Sequence, residues 1–271
     1  MEIGVIVGLC DSNIEFHHVK KYGLSVCQLA CWDMDILTDD MAQTVNRRAE
    51  DAGVRICAYW AGWPGYVEWN FTKGPITMGL VPEATRRERV DALKKGADFA
   101  AKLVAPAIIT HCGFIPENMT DANYPGVVAA IKEVAEHCES LGLGFWFETG
   151  QETPVVLLRT IEQVGTSNLG INLDPANLLL YGKGNPIDAL DVFGQYVRNI
   201  HVKDGFCPTD GNYLGKEAQV GKGIVRFPEF ISKLKEIGFD GELIIEREIS
   251  GDEQIKDIHE TVGNLKLWLS A

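Results

Sequence analysis

Short, nearly continuous apolar runs recur along the chain, and longer stretches with apolar residues at helical spacing separate them. Parallel strands that are buried on both faces have this unbroken apolar character, whereas strands with one face in water alternate. The pattern predicts eight strands, at residues 3–9, 25–31, 54–60, 107–112, 144–148, 169–174, 197–204 and 242–247.

The stretches between these runs carry helix signals. A Thr-Asp-Asp sequence at 38–40 is a typical helix start, and Gly53, Gly142 and Gly238 stand where a left-handed residue ends a helix. The stretch 84–104 predicts a helix with one apolar face. The residues on that face are Val90, Leu93, Ala97, Ala100, Ala101 and Val104.

Strand and helix signals together form eight successive strand-then-helix units. This order predicts an α/β fold, a single (β/α)8 TIM barrel, with one domain over residues 1–271. The two long connections, 61–85 and 204–226, both follow a strand directly. Because such barrels keep their active sites in the loops after the strands, these connections are expected to border the site.

Composition and charge narrow the classes of partner. The 271 residues are 46% hydrophobic and 23% charged, with a formal net charge of −13. Binding to nucleic acid or to an anionic membrane depends on clustered Lys and Arg, so neither is expected. No apolar run approaches the roughly 20 residues of a membrane span. The seven cysteines form no C-x-x-C pair, and together with the absence of a signal peptide they predict a cytoplasmic protein.

Four successive strands end in residues that bind metals. Glu148, Asp174 and Glu246 follow buried strands, and His201 lies within one. In a barrel these ends meet at one opening, and three carboxylates there would repel each other without a cation. One imidazole with three carboxylates suits Mn²⁺ best, with Mg²⁺, Co²⁺ or Zn²⁺ as alternatives.

Each of these residues also has a structural interpretation. An acidic residue after a strand often caps the next helix, and Asp174 precedes Pro175, a favourable first helical residue. A single histidine in an apolar strand is often a hydrogen-bonded core residue. The metal hypothesis therefore depends on the repetition of the feature over four strands.

The chain resembles the sugar isomerase/epimerase superfamily with a xylose-isomerase-like barrel, at the motifs "FWFETG", "INLDPANL", "NIHVKD" and "LIIERE". The resemblance covers essentially the whole chain. It implies that Glu148, Asp174, His201 and Glu246 hold one divalent metal, usually manganese. It also implies that the two glutamates act as acid and base, and that His111 in "ITHCG" lies near the substrate.

Two positions differ from the ketose 3-epimerases of this superfamily. Those enzymes commonly have a histidine where this chain has Asn177, and an arginine where it has Cys207. The chain instead has Lys203 and Asp204, an arrangement more similar to that of inosose dehydratase. The scarcity of further metal-binding histidines argues against a three-zinc DNA repair site.

The resemblance and the strand ends together predict a metal-dependent isomerase or epimerase of a small sugar or keto-polyol. Glu148 and Glu246 would remove and return a proton next to a carbonyl through a metal-stabilised enediolate. Lys203 either polarises a substrate oxygen or forms an ion pair with a carboxylate. A dehydratase or lyase acting on an inosose or a 3-keto sugar or glycoside is the alternative. A non-catalytic barrel, serving as a subunit or sugar-binding protein, is the second alternative.

An aromatic loop at 59–71 and the strand-end tryptophans are candidates for the substrate pocket. Trp60 and Trp63, with Asn177, are predicted to bind substrate, because flat rings stack on the C–H faces of sugars. Packing beneath the loop, or against a second copy in a homo-oligomer, is the alternative. Trp32 and Trp146 also lie near strand ends and are further candidates for the pocket lining. Gln151 and Glu152 are expected either to support the residues that contact the ligand or to cap a helix.

Overall fold

The computed structural model describes residues 1–10, 14 and 16–271. Over these residues eight parallel strands close into a barrel, which confirms the predicted fold class. The barrel strands are β1 (Glu2–Gly8), β2 (Val26–Cys31), β3 (Arg55–Ala61), β4 (Ala107–Thr110), β5 (Gly144–Glu148), β6 (Leu169–Leu173), β7 (Val197–Val202) and β10 (Glu242–Ile245). Each predicted strand lies within about two residues of an observed one, apart from longer predicted C-terminal ends.

Helices cover the outside of the barrel. None of those in the described ranges combines the length and apolarity needed to cross a bilayer. The helices are α1 (His17–Lys21), α2 (Asp39–Ala52), α3 (Gly74–Thr77), α4 (Glu83–Lys102), α5 (Tyr124–Ser140), α6 (Pro154–Val164), α7 (Pro175–Leu180), α8 (Pro186–Phe193), α9 (Phe227–Glu236) and α10 (Asp252–Ser270).

The caps of α2 confirm the predicted start and end of this helix. Thr38 Oγ1 accepts a hydrogen bond from the N–H of Met41 at 3.2 Å, and Gly53 ends the helix with a φ of 62°. The prediction for Val104 is wrong. Helix α4 ends at Lys102, so Val104 lies in a left-handed turn and is 84% exposed instead of facing the core.

One large side chain, Trp146, occupies part of the barrel interior. Trp146 packs with Ala58, Trp60 and Ile109 inside the barrel. A Cβ at Gly144 or Gly170 would lie 2.5 Å or 2.6 Å from the Trp146 ring. These glycines therefore make room for the indole, and Trp146 fills the barrel rather than lining the open cavity.

The connection after β7 contains a short antiparallel hairpin, β8 (Asp204–Phe206) with β9 (Lys216–Ala218). The buried carboxylate of Asp204 connects this hairpin to the segment that precedes α9. Asp204 accepts hydrogen bonds at 2.8–3.1 Å from the N–H groups of Gly205, Gly221, Gly223 and Val225. These charge-assisted bonds fix the chain between the hairpin and α9.

The aromatic connection after β3 is held from below by Arg89, which is fully buried. Its guanidinium donates to the carbonyl oxygens of Pro64, Tyr66 and Gly79 at 2.8–3.3 Å. It also lies 4.3 Å above the Trp63 ring. One side of the loop is therefore packed against Arg89.

Gly79 and Gly53 form a matched pair for testing how closely this loop packs. Both have positive φ, 65° and 62°, but a Cβ at Gly79 would lie 2.2 Å from the Cys112 carbonyl, while described atoms leave the space around Gly53 open within 4 Å. We expect Gly53→Ala to lower the free energy of unfolding by about 1 kcal/mol, from backbone strain alone. Gly79→Ala should cost at least about 2 kcal/mol more, because backbone atoms must move. Urea denaturation measures both; equal losses would contradict the packing described.

Candidate metal centre

Four strand-end side chains meet at one opening of the barrel. Glu148 ends β5, Asp174 directly follows β6, His201 lies in β7 and Glu246 directly follows β10. One potential ligand atom from each side chain lies within 4.8 Å of all the others. The structure therefore brings together all four residues that the sequence predicts as metal ligands.

His201 Nδ1 lies at the centre of the three carboxylates. It is 3.0 Å from Glu246 Oε2, 3.1 Å from Glu148 Oε1 and 3.9 Å from Asp174 Oδ2. His201 and Asp174 are completely buried. Such a concentration of buried negative charge is unfavourable unless a cation or bound protons neutralise it.

A hydrogen-bond chain sets the orientation of this imidazole. Gln28 Nε2 donates to Asn172 Oδ1 at 3.3 Å, so Gln28 Oε1 faces His201 Nε2 at 2.8 Å and accepts a hydrogen bond from its N–H. In the neutral ring, Nδ1 then carries a lone pair directed at the carboxylates. Such second-shell partners are typical of metal-binding histidines.

Two atoms of the cluster lack hydrogen-bond partners within the described chain. They are His201 Nδ1 and Asp174 Oδ2, both buried and both directed at the same space. A divalent cation would satisfy both, and three carboxylates with one imidazole suit ions that prefer oxygen ligands. The residues present therefore fit a divalent metal.

The geometry of Asp174 is compatible with both of its predicted roles, helix capping and metal binding. Its Oδ1 accepts a hydrogen bond from the N–H of Asn177 at 2.9 Å and caps α7. Its Oδ2 faces the cluster. One oxygen for each role means that capping and metal binding are compatible.

Several groups compensate the buried charge of Glu148. The Trp60 indole N–H donates to Oε2, while His201 and His111 lie 3.1 Å and 3.5 Å from Oε1. Burial alone would raise the pKa of Glu148, but His111 and His201 outweigh it and lower the pKa. Burial also lowers the pKa of His111.

Lys203 brings a buried positive charge to the edge of the cluster. Its Nζ lies 2.6 Å from Glu248 Oε1, 3.5 Å from Glu246 Oε2 and 3.6 Å from Asp174 Oδ2. Burial would lower the pKa of Lys203, but these carboxylates raise it well above its usual value. Of the two alternatives for Lys203, the ion pair is present, and the ammonium also lies beside two predicted metal ligands.

In the protein without metal, bound protons balance the remaining charge. Burial raises the pKa of Asp174 to about 8. Burial would lower the pKa of His201, but Glu148 and Glu246 outweigh it and raise it well above the usual range. A proton on each of these two groups supplies the two positive charges that one divalent cation would bring.

A cavity of about 620 Å³ opens above the cluster. Its polar lining contains Glu148, Glu246, Glu248, His111 and Asn177. Its apolar lining contains Trp32, Trp60, Val67, Trp69, Leu180 and Leu214. The cluster therefore lies where a small molecule entering the barrel would reach it.

The residues predicted to bind substrate lie in two different places. His111, Trp60 and Asn177 line the cavity. Trp63 is 2% exposed and donates its indole N–H to Thr110 Oγ1 at 3.1 Å. It supports Trp32 from behind, with ring centroids 5.1 Å apart.

Sequence reasoning missed three residues of this site: Gln28, Asn172 and Glu248. Gln28 and Asn172 are polar residues inside otherwise apolar strands, and that isolation is a signal that could have identified them. Glu248 carries no comparable signal. It lies in the connection between β10 and α10, where its Oε1 is 2.6 Å from Lys203 Nζ.

Gln151 and Glu152 are more deeply buried than their expected capping role requires. They are 1% and 3% exposed, and burial raises the pKa of Glu152 to about 8. The carboxyl group of Glu152 is therefore mainly protonated at neutral pH. Neither residue belongs to the lining of the cavity.

The fold and the site agree with a known family. A family model described as a xylose isomerase-like TIM barrel matches residues 16–268. The chain therefore belongs to the xylose isomerase-like TIM barrel family. A solved structure of a xylose isomerase domain protein from Planctomyces limnophilus is 34% identical, with a TM-score of 0.93, and covers 98% of this chain and 96% of that one.

Other relatives are more distant. An uncharacterized protein from Methanocaldococcus jannaschii is 26% identical over 200 residues, 69% of this chain and 64% of that protein. The match thus spans less than two thirds of that curated relative's length. A D-tagatose 3-epimerase-like protein is 22% identical with a TM-score of 0.75 and covers 100% of this chain and 97% of that one.

Two further solved structures show how varied this fold is. The probable 3-DHS dehydratase AsbF from Bacillus anthracis is 16% identical with a TM-score of 0.71, and covers 97% of this chain and 98% of that one. A xylose isomerase-like TIM barrel protein from Mycobacterium smegmatis in complex with magnesium is 16% identical with a TM-score of 0.67, and the match covers 93% of this chain and 86% of that one. At these identities the likeness concerns the fold alone.

Metal binding should release protons. Because a protonated Asp174 and a protonated His201 cannot act as ligands, we expect release of about one to two protons per Mn²⁺ ion at pH 7. The apparent affinity should rise with pH up to and beyond the Asp174 pKa of about 8. Calorimetric titrations in two buffers of different ionisation enthalpy measure the released protons. The Asp174→Asn variant, which can still cap α7, should release fewer protons per Mn²⁺ ion. An affinity for Mn²⁺ that does not change with pH would contradict this charge balance.

Proposed function

We propose that this chain is a divalent-metal-dependent isomerase or epimerase acting on a small neutral sugar or keto-polyol, with residues 1–271 as one barrel domain. One observation carries the proposal. His201 Nδ1 and one oxygen of each of the three carboxylates lie within 4.8 Å of one another, and Glu148 and Glu246 of this cluster line a cavity large enough for such a substrate. An oxygen-rich set with one imidazole favours Mn²⁺.

Glu148, Asp174, His201 and Glu246 would hold the ion. When bound, it supplies Lewis-acid stabilisation for the negative charge that develops on a substrate carbonyl oxygen. Glu148 and Glu246 both line the cavity, so one can take the proton next to the carbonyl while the other returns a proton to the opposite face. Return to the opposite face of the same carbon gives the epimer, and return to the adjacent carbon gives the isomer.

Neighbouring residues prepare the site for this proton transfer. The Trp60 N–H holds one oxygen of Glu148, which keeps the carboxylate in place. His111 lines the cavity, with its Nε2 3.5 Å from Glu148 Oε1, so it can form a hydrogen bond with a substrate hydroxyl. Asn177 offers a second hydrogen-bonding group on the same lining. Fixed partners of this kind keep reacting groups in a productive geometry.

A dehydratase or lyase acting at the same site is the second candidate, because Glu148 and Glu246 line the cavity and Lys203 places an ammonium beside the cluster. The ammonium lies within 3.6 Å of both Asp174 and Glu246. Because Lys203 is 2% exposed and lies outside the cavity lining, Glu148 or Glu246 would protonate the hydroxyl or alkoxy group that leaves from the carbon next to the deprotonated one. The carbon–oxygen bond breaks, a carbon–carbon double bond forms, and water or an alcohol departs.

Solvent exchange tests the proposed roles of the two glutamates. Incubation with Mn²⁺ in D₂O and a panel of ketoses and inososes should place deuterium next to the carbonyl of the true substrate. Glu148→Gln and Glu246→Gln should each lower the exchange rate by about 100-fold or more, because each removes a proton-transferring group. Mass spectrometry also separates isomerase from lyase, since an isomer keeps the substrate's mass apart from incorporated deuterium.

Glu253→Gln is the matched control, because Glu253 is an exposed glutamate in the first turn of α10. Its exchange rate should equal that of the unchanged protein. Metal analysis of each purified variant shows whether a lost rate reflects a lost ion. A protein that holds the ion but catalyses neither exchange nor elimination with any compound of the panel would contradict the proposal and favour a sugar-binding barrel.

A further inference from the structure

Two hydrogen bonds cross the barrel interior and join opposite strands. In the closed barrel, β2 lies opposite β6 and β3 lies opposite β7. Gln28 on β2 donates its Nε2–H to Asn172 Oδ1 on β6 at 3.3 Å. Asn199 on β7 donates its Nδ2–H to Cys57 Sγ on β3 at 3.5 Å. All four residues are at most 1% exposed and lie outside the cavity lining, so the proposed chemistry leaves Asn199 and Cys57 without a role.

Asn172 and Asn199 lie side by side in this interior. They are paired residues of the parallel strands β6 and β7, so their side chains point to the same face of the sheet. An irregularity in the pairing after Ile171 leaves Arg198 without a paired residue on β6. Arg198 is exposed, and regular pairing would place it beside Asn172. The bulge therefore brings a second amide next to the first, as bulges beside active sites often re-aim side chains.

One donor and one acceptor of these two amides are unused. Asn172 Nδ2 and Asn199 Oδ1 are buried, and neither has a hydrogen-bond partner within the described chain. A buried amide group without a partner costs free energy. A water molecule would accept from the first and donate to the second, and two bonds of about 2.8 Å suit side chains on strands about 4.8 Å apart. A metal ion does not suit this space, because an amide nitrogen is a donor and not a ligand.

A water at this position completes a chain of hydrogen bonds that all run in one direction. The chain starts at the His201 Nε2–H, which donates to Gln28 Oε1 at 2.8 Å, and continues from Gln28 to Asn172. Beyond the water it continues from Asn199 to Cys57. Burial raises the pKa of Cys57 to about 12, so the chain ends at a neutral thiol. Hydrogen bonds in such a chain polarise and strengthen one another.

The direction of this chain decides which nitrogen of the neutral His201 ring presents a lone pair to the carboxylates. A reversed Asn172 amide would set its NH₂ group against the NH₂ group of Gln28. Gln28 would then have to turn and donate to His201 Nε2, which would need a lone pair there. The ring proton would move to Nδ1, the atom that lies 3.1 Å from Glu148 and 3.0 Å from Glu246. The observed direction therefore keeps Nδ1 available to an ion.

We infer that one buried water bridges Asn172 Nδ2 and Asn199 Oδ1, and that this bridge holds His201 Nδ1 towards the metal centre through Gln28. The water site follows from the barrel interior alone, whereas its effect on the metal rests on the proposed function. Asn172 and Asn199 are positioning residues, because they act through Gln28 and do not line the cavity.

A crystal structure of the Mn²⁺-loaded protein tests the water site. At about 1.5 Å resolution, we expect density for one water within about 2.7–3.2 Å of both Asn172 Nδ2 and Asn199 Oδ1. A direct hydrogen bond between the two amides, or no density between them, would overturn the inference. This measurement needs no variant, so it does not depend on whether a substituted protein folds.

The Asn199→Leu variant tests the effect on the metal. The leucine removes the acceptor and fills the place of the water, so the amides of Asn172 and Gln28 can turn. Titration calorimetry should show a fall of about 10-fold or more in the affinity for Mn²⁺. Asn199→Ala removes the same acceptor without adding volume and takes its place if the leucine variant does not fold. An unchanged affinity would overturn the positioning role.

Val26→Ala is the matched control, because Val26 packs with Cys57 in the same interior cluster and has an apolar side chain. It should lower the midpoint of urea denaturation while keeping the affinity for Mn²⁺ within about twofold. An equal loss of affinity in Val26→Ala and Asn199→Leu would show that packing alone matters, and would overturn the inference.

These outcomes separate the inference from the proposed function. If the water is present but no Mn²⁺ binds to the unchanged protein, the water site stands, and both the positioning role and the proposed function fail. If deuterium exchange succeeds with Mn²⁺ and the water is absent, the proposed function stands and this inference is wrong.

Discussion

The structure of this site depends on one electrostatic constraint: three carboxylates surround a single imidazole nitrogen in a buried space. His201 Nδ1 lies 3.0–3.9 Å from oxygens of Glu148, Asp174 and Glu246. Like charges at such distances cannot all persist in a low-dielectric site. The protein resolves this with the Lys203 ammonium and with two sites that bind either protons or one divalent ion.

The barrel holds these four side chains close together, because a different strand or strand end positions each of them. The remaining polar atoms are fixed by neighbours: Gln28 directs His201, the N–H of Asn177 holds one oxygen of Asp174, and Trp60 holds one oxygen of Glu148. Rigid ligands of this kind pre-organise a site before its ion arrives. The long connections after β3 and β7 then provide the cavity walls without disturbing the cluster.

Local sequence patterns were sufficient to predict the barrel fold and the clustering of the four strand-end residues. Apolar runs fix strands, glycines such as Gly53 end helices, and the strand ends must meet once a barrel closes. What could not be predicted depends on tertiary distance. Trp60 lies in β3 and Trp63 follows three residues later, just after the strand, yet only Trp60 lines the cavity, whereas Arg89 packs on the Trp63 ring. The pairing of Lys203 with Glu248 likewise arises only when the last strand closes the barrel.

The central claim is that one cation joins the four strand ends. Crystals of the protein soaked in Mn²⁺ and measured at the manganese absorption edge test it most directly. The account predicts one strong anomalous peak enclosed by His201 Nδ1 and the carboxylates of Glu148, Asp174 and Glu246, with the His201–Gln28 hydrogen bond retained. A map without a peak at that position, or with the four side chains turned away from one another, would contradict it.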